Sequence, residues 1–126
     1  MSDFERSLSF YTDILFFEIE YQRPEHRFAF LNLQGSQLMI EQQNGHWDTG
    51  PLEYPYGRGI NLSIQVNDLD DVIESVTRHN HPIKIGPELN KYRMDGRILR
   101  HRELLLLDPD GYLLRFTQHL GSEQSD

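Results

Sequence analysis

The chain has 126 residues, 20 acidic and 12 basic side chains, a formal net charge of −8 and no cysteine. This is enough for one domain with a real core but not for two independent ones. The charge opposes nucleic acid and anionic membrane, and the missing thiols exclude a disulfide framework, thiolate chemistry and a cysteine zinc site. With 37% hydrophobic and 25% charged residues the chain is polar for a globular protein, and such a small domain often completes its burial by oligomerising. No long apolar run occurs near the N-terminus or elsewhere, so neither a signal peptide nor a membrane span is expected, and the absence of cysteine fits a cytoplasmic protein.

Asp3 is placed to cap a helix in which Phe4, Leu8, Tyr11 and Leu15 fall on one apolar stripe. Residues 16–22 read as a strand, Pro24-Glu25-His26 as a turn, and residues 27–33 as a second strand with clear alternation. Gln34-Gly35 reverses the chain into residues 36–42. A two-residue loop there sets Phe28 opposite Glu41, Phe30 opposite Met39 and Asn32 opposite Gln37. That face mixes aromatic and polar groups, as a ligand-facing surface would. The other, with Ala29, Leu31, Leu33, Leu38 and Ile40, is aliphatic and belongs under the helix.

Residues 43–58 form an irregular connector rich in glycine and proline that carries Trp47, Tyr54 and Tyr56. Residues 59–66 alternate strictly, with Ile60, Leu62, Ile64 and Val66 on one face and Asn61, Ser63 and Gln65 on the other. Asp68 caps a second helix with Leu69, Val72, Ile73 and Val76 as its stripe. Residues 83–85 read as a short strand, and residues 86–96 have no assignable pattern. Residues 97–107 form a long strand whose Leu104 to Leu107 run predicts burial on both faces. Asp108-Pro109-Asp110-Gly111 is a strong turn, residues 112–118 return as the last strand, and residues from Gly121 onward are expected to fray.

The chain therefore states one pattern twice. Residues 59–120 read as strand, helix and three strands, and residues 2–42 repeat this from the helix onward. The predicted fold is α+β, a single domain over residues 1–126 in which two βαβββ modules form curved sheets with a shared cleft, the first module lacking its opening strand. The first module goes without that strand, another chain or segment supplies it, or the natural protein begins before Met1.

Three stretches carry a resemblance to a known family: Asp3-Phe4-Glu5-Arg6-Ser7-Leu8-Ser9-Phe10-Tyr11 with Leu15-Phe16-Phe17, Arg58-Gly59-Ile60-Asn61 running into Val66-Asn67-Asp68-Leu69, and Leu107-Asp108-Pro109-Asp110-Gly111-Tyr112. In this order and spacing the chain resembles the vicinal-oxygen-chelate superfamily, in its glyoxalase and bleomycin-resistance branch. The resemblance implies a cavity on the concave face of the sheets. Enzymes of the superfamily hold a divalent metal there on His, Gln and Glu side chains from four positions. One of these lies on the absent strand, and the others fall on Met39, Asn61 and Arg115. An arginine repels a cation, so no metal ligands and no cofactor are assigned. Phe16 also replaces a glycine common in the family just after the helix, a position that often needs positive φ.

The expected function is thus metal-free binding of a small molecule. The ligand-binding candidates are Phe28, Phe30, Met39, Glu41, Trp47, Asn61, Ser63 and Arg115. Aromatic rings and methionine suit flat or irregular ligands, Trp47 being the first stacking candidate, and an acidic protein suits a cationic one. Glu41 and Arg115 are the candidate charges, and a pair between them would lock the sheets together. As the resemblance implies, bleomycin-resistance proteins sequester a cationic glycopeptide antibiotic in clefts between two subunits, which points to a homodimer. The alternative is a metal-dependent glyoxalase- or dioxygenase-type enzyme with a displaced ligand set.

Overall fold

The computed structural model describes residues 1–124. In chain order its elements are α1 (Phe4–Ser9), a π-helical turn (Phe10–Ile14), β1 (Glu18–Arg23), a 3₁₀ turn (Pro24–His26), β2 (Phe28–Leu33), β3 (Ser36–Glu41), β4 (Asn61–Gln65), α2 (Leu69–Arg78), β5 (Ile85–Met94), β6 (Arg97–Leu107) and β7 (Leu113–Gln124). They build two open sheets. One has the order β1-β2-β3, and the other has the order β4-β7-β6-β5, with β4 parallel to β7.

Both helices start as their aspartates dictate. The Arg6 amide donates to Asp3 Oδ1 at 3.2 Å and the Asp70 amide to Asp68 Oδ1 at 2.9 Å, satisfying donors that a helix leaves open. The first helix does not run on as a regular α-helix: it widens after Ser9, which puts Phe10, Tyr11 and Leu15 together in the core. It ends at Ile14, and Phe16, two residues on, has a φ of 66°, the left-handed conformation that the resemblance implies for this position.

The β2–β3 hairpin has the expected register, with Phe28 facing Glu41, Phe30 facing Met39 and Asn32 facing Gln37. Gln34 and Gly35 both have positive φ, 49° and 95°, the geometry whose twist matches a two-residue hairpin. Ala29, Leu31, Leu33 and Ile40 from this sheet share one core with Ile64, Leu104, Leu106, Leu114 and Phe116 from the other, and apolar residues of both helices join it. Each sheet therefore turns its second face away from the common core.

Two segments depart from expectation. Residues 86–94, patternless in the sequence, are most of the ten-residue strand β5, exposed on almost all of its length and paired only with β6. The chain does not fray at Gly121: β7 continues to Gln124, held against Arg97 at the far end of β6, and only residues 125–126 lie outside the described part. The leucine run on β6 is buried fully on one face, by Leu104 and Leu106, while Leu105 and Leu107 are half-buried.

Candidate functional site

The core-averted face of the four-stranded sheet carries the most organised polar cluster. It is built by alternation: Ser63 and Gln65 on β4, Arg115, Thr117 and His119 on β7, and His101 and Glu103 on β6 line a cavity of about 320 Å³ with Tyr92 of β5. Glu103 lies at its floor, 1% exposed, a carboxylate that could not stay buried without partners. It has three. Asn90 Nδ2 donates to it at 3.0 Å, and the Tyr92 hydroxyl and Arg115 Nε donate in short hydrogen bonds. Arg115 also donates to the Tyr92 hydroxyl at 2.7 Å, closing the triangle.

The electrostatics follow from this arrangement. Burial alone pushes the Glu103 carboxyl up, but the hydrogen bonds from Arg115, Tyr92 and Asn90 and the guanidinium charge together outweigh it and bring the pKa down to about 2. The hydrogen bond to Glu103, with burial, raises the Tyr92 hydroxyl. Glu103 is thus a fixed anion that orients Arg115, and His101 and His119 stand beside it with ring centroids 5.2 Å apart.

The core-averted face of the three-stranded sheet is aromatic. The rings of Tyr21 and Phe30 stack with centroids 5.1 Å apart and planes within 4°. Phe28, directly along the strand, is covered by the Arg23 guanidinium at 4.0 Å from its centroid, a cation–π contact. Tyr21 is 49% exposed and Met39 68%, whereas Phe28 is buried beneath Arg23, so the platform is open to solvent at Tyr21 and Met39, with Glu41 opposite Phe28.

A third feature is the cleft between the sheets. A cavity of about 440 Å³ lies along β3, bounded by Leu38, Met39 and Glu41 on one side, by Leu62 of β4 and Tyr112 on the other, and by Trp47 of the connector. Trp47 is 75% exposed and meets His46 edge-on. Burial and the neighbouring carboxylates of Asp108 and Asp110 raise the Tyr112 hydroxyl, a sign of negative potential at this end of the cleft.

The predicted site residues therefore fall on three surfaces. Ser63 and Arg115 share the polar cavity; Phe28 and Phe30 lie on the aromatic platform, with Met39 reaching from it into the cleft that Glu41 and Trp47 also line; Asn61 is exposed on β4 and lines neither cavity. Arg115 does not pair with Glu41. Its partner is Glu103 on the adjacent strand, two positions from Leu105, the registry neighbour of Arg115, so the ion pair locks one sheet rather than bridging two. Glu103, Tyr92 and Tyr21 are absent from the sequence-based set. For Glu103 a signal existed: it alternates with His101 on the face opposite Leu104 and Leu106.

The metal that the resemblance implies does not fit these residues. Met39 offers a thioether and Arg115 a guanidinium held by Glu103, whose oxygens are already taken by three donors. Among the described residues no group of three or more His, Cys, Asp or Glu stands together as a ligand set.

Residues 1–116 match the family model described as the Glyoxalase/Bleomycin resistance protein/Dioxygenase superfamily. Among solved structures, a member of that superfamily from Vibrio splendidus 12B01 is 30% identical, with 95% of this chain and 92% of that one covered and a TM-score of 0.46. A glyoxalase/bleomycin resistance protein/dioxygenase from Alicyclobacillus acidocaldarius is 22% identical over 96% and 86% of the two chains, with a TM-score of 0.62. A protein of unknown function from Agrobacterium tumefaciens str. C58 is 22% identical over 95% and 88%, with a TM-score of 0.71. A search of curated proteins found no match.

Proposed function

Because this chain belongs to the glyoxalase/bleomycin resistance protein/dioxygenase superfamily, we propose that it is a metal-free binding protein for a planar, cationic small molecule, of the kind represented by cationic glycopeptide antibiotics. The observation that supports this most directly is the aromatic platform. Arg23 already lays a planar cation on the buried Phe28 ring, so a ring of this face stabilises such a group, and the exposed Tyr21 of the Tyr21–Phe30 stack and Met39 are the surface open to a ligand. The net charge of −8 draws a cation to the protein from a distance.

A platform alone leaves most of a ligand in water, whereas a good site buries most of it. In the proposed assembly a second copy faces its polar cavity, with Ser63, Arg115 and the histidines, toward the aromatic platform of the first. A two-fold axis then makes two equal sites, and each combines stacking with hydrogen bonds. The proposed setting is the cytoplasm, in keeping with a chain that contains no cysteine.

Isothermal titration with metal-free bleomycin tests the reading. Saturable heat at one ligand per chain, weakened about tenfold by Tyr21→Ala, is expected. No heat up to about 1 mM ligand removes the antibiotic assignment. Elemental analysis of the purified protein is the second arm, and a stoichiometric divalent metal would overturn the metal-free reading in favour of an enzyme.

A further inference from the structure

The chain has six histidines, and their surroundings separate them. His79 Nδ1 donates to the Ser75 carbonyl at 2.8 Å and His81 Nε2 to the Leu107 carbonyl at 2.7 Å, so both rings are committed to the backbone. His26 lies in the 3₁₀ turn and His46 in the connector, each exposed. His101 and His119 are register partners on β6 and β7. Both side chains therefore rise from one face of the sheet, and both line the polar cavity. Among the described residues the histidine ring nitrogens held by hydrogen bonds are those of His79 and His81, which leaves the nitrogens of this pair open.

The spacing of the pair is that of a chelate. A zinc ion sits about 2.05 Å from an imidazole nitrogen, hence about 3.2 Å from the ring centre, and a tetrahedral angle between two such bonds sets the centres about 5.2 Å apart. The centroids of His101 and His119 are 5.2 Å apart. The 72° between their planes is compatible with this, because each ring turns about its own metal–nitrogen bond. The Tyr92 ring packs edge-on against His101 at 5.7 Å and supports it from the side. The cavity of about 320 Å³ beside the pair has room for the waters that complete four-coordination. Its two charges, Glu103 and Arg115, neutralise each other, and the net charge of −8 draws cations to the protein.

We infer that His101 and His119 form a two-imidazole chelate for a divalent cation of the zinc, nickel or copper class, with water in the remaining positions. This is not the superfamily's ligand set: β6 carries none of the positions that the resemblance implies, and Arg115, which stands at the one on β7, stays on Glu103. Catalytic zinc sites use three protein ligands and structural ones four. Two imidazoles hold an ion loosely and let it exchange, so it is lost on purification. Magnesium, which prefers oxygen ligands, is not taken. The site is separate from the aromatic platform and stands or falls without the antibiotic reading.

The probe is zinc chloride, added to the whole protein labelled with nitrogen-15 after dialysis against a chelator, and the imidazole nitrogens are followed by NMR. The ring signals of His101 and His119 are expected to shift together and to saturate at one zinc per chain, whereas magnesium chloride leaves them in place. Calorimetric titration gives the affinity. His101→Ala and His119→Ala should each weaken it about tenfold, and the double variant no further, because either loss already breaks the chelate. His26→Ala, at an exposed turn outside the cavity, should leave it unchanged. No shift of either ring in the wild-type protein up to about 1 mM zinc would overturn the proposal. So would equal shifts with magnesium, a loss in the double variant equal to the sum of the single losses, or an equal loss in His26→Ala, which would spread zinc binding over the surface histidines.

Discussion

At the scale of single residues, Glu103 carries the sharpest consequence. A carboxyl moved from the ordinary 4.5 to about 2 binds its proton less readily folded than unfolded. Its contribution to stability is then complete above the unfolded value and disappears as pH falls from about 4.5 through about 2. Glu103→Gln should lower stability at pH 7 by about 2–3 kcal/mol, because it removes the anion and leaves the Arg115 guanidinium without its partner. Urea titrations of both proteins at several pH values check this. The gap between them should close on acidification within that window, and a gap of constant size would mean that Glu103 acts through packing alone. Phe16 makes the opposite prediction. Held at φ 66° and 42% exposed, it pays for a left-handed backbone with little burial in return, so Phe16→Gly should raise stability by about 0.5–1 kcal/mol in the same titration.

At the scale of elements, the two modules are joined by specific polar contacts as well as by the shared core. The Tyr11 hydroxyl, from the first helix, donates to Asp108 at 2.7 Å at the turn before β7, and burial together with that carboxylate holds the Tyr11 pKa well above its usual value. Tyr11→Phe leaves a buried Asp108 oxygen without its donor and should cost about 1–3 kcal/mol, read as a lower midpoint with an unchanged slope in urea. Gly86 matters for a different reason. Its φ is 96° and an added Cβ would lie 2.6 Å from the Glu103 carbonyl, so Gly86→Ala should destabilise by at least about 2 kcal/mol and loosen β5 from β6. How much of this was readable in the sequence follows the same physics. The β2–β3 register was legible because a two-residue loop and a one-sided core leave a single pairing that buries Leu31 and Ile40. β5 was not, because an edge strand wet on both faces has no alternation to display; its pairing with β6 alone makes it a strand. Arg115 was recognisable as a site residue from its strand, but its partner was not, since Glu103 sits inside a leucine run and its role depends on Tyr92 and Asn90 arriving from that illegible strand.

At the scale of the whole molecule, the common core fixes what one chain cannot do. Ala29, Leu31 and Ile40 pack with Leu104, Leu106 and Phe116, so the aromatic platform and the polar cavity face outward from opposite sheets, and neither chain can close one over the other. A ligand that uses both must lie between two copies. If the proposed antibiotic binds, this gives a prediction about how many copies build each site. Tyr21→Ala damages only the platform, and Ser63→Tyr, at an exposed position of β4, fills only the polar cavity. Each variant alone should bind poorly. Mixed in equal amounts and allowed to exchange subunits, half of the dimers carry one of each, and every such dimer contains one site with both lesions and one with neither. About a quarter of the wild-type binding capacity should therefore return at wild-type affinity, measured by titration of the mixture against metal-free bleomycin. Were each site built within a single chain, mixing would restore nothing, and a capacity that stays at the level of the separate variants would reject the two-copy site while leaving the platform itself untouched.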